Sequence, residues 1–385
     1  MENIIYLDNA ATTRVRAEAA EAMRPYFEAE FGNPSSIYEL ARNAKRAVET
    51  ARGEVAAALG AQPTEIYFTG GGSESDNWAI KNIAESYPER GKHIITTEFE
   101  HHAVLHACQY METRGYEATY LPVGTNGVVD PAAVEAAIRP DTALITIMLA
   151  NNEIGTVQPI AEIAEIAKRR GVLLHTDAVQ ALGHVPINVK RLGADFLTVA
   201  AHKIYGPKGV GALYARKGTK LKPFIHGGAQ ERGRRAGTEN VPGIVGFGVA
   251  ARLVAEELER EAPREFALRE RLVDAVLSAV PDSRLNGDRF KRLPGNANFA
   301  FKYIEGESIL LLLERHGIFA SSGSACTSGS LDPSHVLLAI GMPHGEAHGS
   351  LRVTIGRYNT EADIDKLVEV LPGIVRRLRD MSPLH

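Results

Sequence analysis

Val172-Leu173-Leu174-His175-Thr176-Asp177-Ala178-Val179-Gln180 reads as a short apolar run that stops on a carboxylate. Residues 172–175 have the length and composition of a strand buried on both faces. A helical pattern over 161–170 precedes it, closed by Gly171 as a C-cap. Working outward, similar apolar runs occupy 65–69, 93–97, 143–149, 196–200 and 210–215, with helical patterns at 48–59 and 73–84. Short apolar runs alternating with helices predict an α/β fold with a mainly parallel sheet covered by helices. Such sheets bind ligands beyond the carboxyl ends of their strands, and Asp177 falls at one of those ends.

The texture changes after residue 250. A long charged helical stretch covers 252–280, followed by a mixture of strands and helix at 298–301, 308–316 and 350–355. Thr360-Glu361-Ala362-Asp363 is a capping-box pattern ahead of apolar positions at helical spacing, Ile364 to Leu378. This predicts a smaller α+β domain, completed by the N-terminal residues. The expected division is a large domain over 15–255 and a small domain from 1–14 and 256–385.

The 385 residues carry 43 Lys and Arg against 47 Asp and Glu, a formal charge of −4. No clustered basic face for nucleic acid is evident, and no apolar run is long enough to span a bilayer. The N-terminus is acidic and strand-like, unlike a secretory signal. The two cysteines, Cys108 and Cys326, lie in different contexts and imply no disulfide framework. The expectation is a cytoplasmic protein that binds neither nucleic acid nor membrane.

Four stretches could carry chemistry. Thr69-Gly70-Gly71-Gly72-Ser73 runs from a strand into a helix, which suits an anion at the helix start or simply a capped turn. Asp177 could hold a protonated ring nitrogen or could cap the next helix. In Ala201-His202-Lys203-Ile204-Tyr205-Gly206, a lysine directly after an apolar strand can be desolvated and form a Schiff base, or can be a surface residue in a turn. Residues 320–330 are all small around Cys326, so composition predicts a loop with little to pack, either a delivered thiol or an incidental one.

Other patterns fail. Gly246-Phe247-Gly248-Val249-Ala250-Ala251 spells a dinucleotide motif inside a helical run with no strand before it. His101, His102, His106 and Cys108 match no zinc spacing, so no metal is expected, and Cys108 reads as core. Arg232, Arg234 and Arg235 form a basic run between glycines, a solvated face or a phosphate or partner loop.

Taken together with Tyr6-Leu7-Asp8-Asn9-Ala10-Ala11-Thr12-Thr13, Phe31-Gly32-Asn33-Pro34-Ser35-Ser36, Glu74-Ser75-Asp76-Asn77, Asn151-Asn152-Glu153-Ile154-Gly155 and Arg235-Ala236-Gly237-Thr238, these stretches resemble the cysteine desulfurases across essentially the whole chain. Those enzymes are class V aminotransferase relatives of pyridoxal-phosphate fold type I. The nitrogen-fixation type is the nearest match, through residues 230–240 and 328–335.

The resemblance implies a seven-stranded sheet in the large domain and pyridoxal 5'-phosphate as cofactor, held by Lys203. His101 would stack on the ring, Asp177 would pair with its nitrogen, and Gln180 and Asn152 would bond its hydroxyl. Gly72, Ser73 and His202 would hold the phosphate, with Ala200 offering backbone only and Thr238 reaching in from a second subunit of a homodimer. Arg352, Asn33 and Asn152 would bind the substrate, L-cysteine. Lys203, His101 and Cys326 would be catalytic, Cys326 taking the sulfur as a persulfide on the long form of its loop. The acceptor would be an iron–sulfur scaffold or another sulfur-acceptor protein. The shorter C-terminus, Ser382-Pro383-Leu384-His385, bears on how such a scaffold docks. A selenocysteine lyase, or another lyase or aminotransferase of this fold, would use the same cofactor residues. A non-catalytic assembly platform is the reading of a different class.

Overall fold

The computed structural model describes residues 4–322 and 332–382. Its centre is a seven-stranded sheet, in spatial order Ile66–Thr69, Gly211–Ala215, Phe196–Ala200, Leu173–Asp177, Thr142–Thr146, His93–Thr97, Glu117–Leu121. Gly211–Ala215 runs antiparallel to both its neighbours, and the remaining pairings are parallel. Five of these strands are buried at every position. That is why they read as unbroken apolar runs: helices cover both faces. The sheet is thus seven-stranded and mainly parallel, as expected.

Local differences have local causes. The strand expected over 143–149 ends at Thr146, although Ile147 to Leu149 stay buried and Ile147 and Leu149 N–H still donate to the His175 and Asp177 carbonyls. Glu117–Leu121 lies on the sheet edge and is mostly half-exposed, so its polar composition hid it from a search for apolar runs. The helix expected from residue 48 begins at Glu39, and the one expected from 252 begins at Val241. The small and glycine residues of 241–251 are helical because they are buried against helix Glu39–Leu59, not because they favour helix.

Among the described residues four apolar clusters form, and the long helix Val241–Ala279 joins two of them. One packs on the large sheet and takes in Val241 to Val254 of that helix. The other gathers Leu268 to Val276 of the same helix, strands Asn296–Phe301 and Ser350–Thr354, and helix Glu361–Met381. Pro263 falls between the two halves, where a lost helical hydrogen bond disturbs neither core. Thr360 and Asp363 form the anticipated reciprocal cap of the last helix.

The N-terminal residues join the second core. Ile5–Tyr6 pairs in parallel with Ile318–Phe319, and Leu7 is fully buried. The chain then crosses to the large sheet, where Thr13 N–H and hydroxyl both donate to the His202 carbonyl. Residues 8–13 therefore lie over the carboxyl ends of the sheet strands.

Candidate active site

A cavity of about 290 Å³ opens at those carboxyl ends. Gly72, Ser73 and Asp76 reach it from the first turn of helix Gly72–Ser86. His101 arrives as the N-cap of helix His102–Glu112, its Nδ1 accepting from Ala103 N–H. Asp177 ends its strand, with Val179 and Gln180 just beyond, and Ala200 ends the next strand ahead of His202 and Lys203. Arg352 enters from strand Ser350–Thr354, and Ala10 and Ala11 close the side.

The structure therefore brings Gly72, Ser73, His101, Asn152, Asp177, Gln180, Ala200, His202, Lys203 and Arg352 around one cavity. Asn33 and Thr238 are exposed and do not line it. Asn33 instead accepts a hydrogen bond from Ser35 N–H within its own turn. Cys326 lies outside the described residues.

The wall is poor in solvent and rich in opposed charge. Lys203 Nζ donates to the carbonyls of Ala10, at 2.5 Å, and Ala11, at 2.7 Å. Gln180 Nε2 donates to the same Ala10 carbonyl. Burial pushes Asp177 up, opposed by a hydrogen bond from Val179 N–H and by the Lys203 charge. Burial, with Lys203 nearby, holds both His101 and His202 down to about 4, so both rings are neutral at neutral pH. A neutral imidazole is the form suited to packing flat on an aromatic ring.

Several buried polar atoms here have no hydrogen-bond partner among the described residues. They are Asn152 Oδ1, Asp76 Oδ1 and Arg352 Nε. An unmet buried polar atom costs about 1–3 kcal/mol, so such atoms mark where a polar ligand belongs. At Gly72, a Cβ would come within 2.8 Å of the Val179 side chain, so only glycine leaves that helix start open. A helix start open to an anion, a carboxylate, a lysine and unmet amide and guanidinium groups together fit a phosphorylated pyridine aldehyde.

The class-V aminotransferase family pattern matches residues 5–367. The chain belongs to that family. Its cofactor is pyridoxal phosphate. Among curated relatives, "Cysteine desulfurase IscS" of Methanosarcina thermophila is 58% identical over 99% of this chain and 94% of its own length. "Cysteine desulfurase IscS" of Clostridium botulinum is 53% identical over 100% and 97%. Among solved structures, a "NifS-like protein" superposes with a TM-score of 0.92 at 38% identity, covering 98% of this chain and 100% of its own. "SspA in complex with cysteine" gives 0.81 at 37% identity, covering 92% and 100%.

Sequence reasoning missed several residues around this family's site. Asp76 was quoted only inside a motif, yet it lines the cavity and is buried. Glu100, buried behind the cavity, accepts from the Thr97 hydroxyl and from Met148 N–H, and burial pushes it up to about 8. Glu153 accepts from the Ser334 hydroxyl and is pushed up to about 7 by burial. Their polar sequence neighbours offered no signal that these carboxyl groups would be buried. The basic run is solvent-exposed at Arg232 and Arg234 and half-buried at Arg235, and its side chains are tethered to neighbouring segments. Arg235 pairs with both carboxylate oxygens of Glu74, Arg232 packs on the Tyr67 ring and donates to the Ile66 carbonyl, and Arg234 donates to the Leu221 carbonyl. Among the described residues no group of acidic, histidine or cysteine side chains is placed to hold a metal, and no helix is long and apolar enough to cross a membrane.

Proposed function

We propose that this chain is a cysteine desulfurase that converts L-cysteine to L-alanine, takes the sulfur onto Cys326 and supplies it for iron–sulfur cluster assembly. The observation that carries this reading is that Lys203, Asp177 and the unmet Nε of Arg352 share one cavity in a chain similar over its whole length to proteins named cysteine desulfurase.

Pyridoxal phosphate, when bound, supplies an electron sink that makes the amino acid's Cα proton removable. Gly72 and Ser73 at the helix start, with His202, would hold its phosphate, and His101 would pack on its ring. Asp177 would pair with the ring nitrogen and keep it protonated. Asn152 and Gln180 would bond the ring hydroxyl. Arg352 would bind the substrate carboxylate through its unmet Nε–H. Lys203 holds the cofactor before substrate arrives and moves the Cα proton afterwards. The Cys326 thiolate then attacks the substrate sulfur. The Cβ–S bond breaks, its electrons stay with carbon, carbon takes up a proton, and alanine leaves with the sulfur retained as a Cys326 persulfide.

The same reading includes a homodimer, in which exposed Thr238 completes the phosphate site of a second subunit and Asn33 assists Arg352. It includes a large domain over 15–255 and a small one from the remaining residues, supported by the two cores that the long helix joins. It places the protein in the cytoplasm, with an iron–sulfur scaffold or another sulfur-acceptor protein as acceptor.

The test is alanine formation from L-cysteine with pyridoxal phosphate and a thiol reductant, comparing the parent with Cys326→Ala. Alanine from the parent alone is expected. Equal alanine from both would overturn the persulfide step. Alanine from L-selenocysteine only would move the assignment to a selenocysteine lyase.

A further inference from the structure

Asp76 has no evident task in the chemistry above, yet it is 1% exposed and lines the cavity floor. Its Oδ1 has no hydrogen-bond partner among the described residues. Among the described residues its only neighbour within ion-pair distance is His175, whose Nε2 lies 3.6 Å from Oδ1. That imidazole cannot serve as a cation. Its Nδ1 is bonded by the Thr146 hydroxyl and its Nε2 by the Thr198 hydroxyl, and full burial holds it down to about 3. The other charges acting on Asp76 are Asp177 and Glu100, both acidic. Lys203 acts on Asp177.

We propose that Asp76 is a positioning residue that stays a neutral acid in the cavity floor, its Oδ1 hydroxyl turned to the cavity, so that Asp177 alone carries negative charge beneath the cofactor. This rests on the reading of Asp177 as the residue that faces the ring nitrogen. A buried carboxylate with no cation and an acidic neighbour is costly, whereas the neutral acid turns an orphaned acceptor into a donor. Two ionised carboxylates under one ring would compete for its proton, and one neutral acid removes that ambiguity.

The experiment is a pH titration of the visible cofactor band in the holoenzyme, for the parent, Asp76→Asn and Asp177→Asn. Asp76→Asn keeps a neutral donor, so its midpoint should match the parent and its cofactor affinity should stay within about twofold. An ionised Asp76 would instead stabilise positive charge on the cofactor, and its loss would lower the midpoint by roughly 1–3 pH units, overturning the proposal. Asp177→Asn should weaken cofactor binding and alter the band. If it changes neither, the reading of Asp177 fails, and with it the premise. A second measurement needs no variant. Infrared spectra of parent holoenzyme carrying 13C-labelled aspartate should show an isotope-shifted protonated carboxyl band at neutral pH. Absence of that band would overturn the proposal even if Asp76→Asn failed to fold.

Discussion

Arg352 Nη2 lies 2.8 Å from Asp8 Oδ1, while Nη1 donates to the Asn152 carbonyl at 3.0 Å. The guanidinium is therefore fixed on two sides, with its buried Nε left for a ligand. A planar fork anchored in this way presents a set direction to a carboxylate, which the flexible ammonium of lysine does not. Arg352→Lys should raise KM for L-cysteine roughly 10- to 100-fold, the worth of a charge-assisted hydrogen bond, with a smaller effect on kcat. Steady-state alanine kinetics check this.

Lys203 bonds two carbonyls of the N-terminal segment, so its Nζ is held at the cavity side before any ligand binds. Lys203→Ala should still fold and still bind pyridoxal phosphate reversibly through the helix start and Asp177. Alanine formation should fall to background. Dialysis should then remove the cofactor from the variant but not from the parent.

Beneath the strand Ile66–Thr69, Arg52 and Glu231 form a two-point ion pair at 2.7 and 2.9 Å, both side chains buried. Glu231 also accepts from Phe68 N–H, and Arg52 donates to the Ile66 carbonyl. Removing one partner leaves the other charged and dry. Glu231→Ala should destabilise the fold by about 3–5 kcal/mol, and Arg52→Met with Glu231→Leu by less, as urea unfolding would measure.

Glu100 supplies a pH dependence with a definite sign. Its folded value, about 8, stands above the ordinary 4.5 of an unfolded chain. Below 4.5 both states hold the proton and burial carries no penalty from ionisation. Between 4.5 and about 8 the unfolded chain loses its proton while the folded one keeps it, so stability falls as pH rises. Glu100→Gln cannot ionise and should remove this term. The variant should gain on the parent between pH 5 and 8 by an amount on the order of a few kcal/mol, read from urea midpoints across pH.

The legible parts of this molecule were those where burial writes a simple pattern. Strands covered on both faces, such as Phe196–Ala200, appear as plain apolar runs, and the polar residues at their ends, Asp177 and Lys203, stand out by position. The orientation of Gly211–Ala215 was not legible, since an apolar run looks the same in either direction. Nor were the partners of Arg235 and Glu231, because Glu74 and Arg52 lie far away in sequence and meet them only in the folded chain. Asp76 and Glu100 were obscured for a related reason: their surroundings, not their neighbours in sequence, make them unusual. His175 resisted a role until its two threonine partners on adjacent strands were seen.

The crossing of residues 7–11 over the sheet has a consequence for the order of events in the cell. Leu7 carbonyl accepts from Thr354 N–H, Asp8 pairs with Arg352, and Ala10 carbonyl receives Lys203. Segments far apart in the chain thus form the cavity wall together. A nascent chain cannot assemble this wall before synthesis has passed residue 354, however early its large sheet condenses. Cofactor capture should therefore report on synthesis past this point, and chains cut short before Arg352 should fail to retain it.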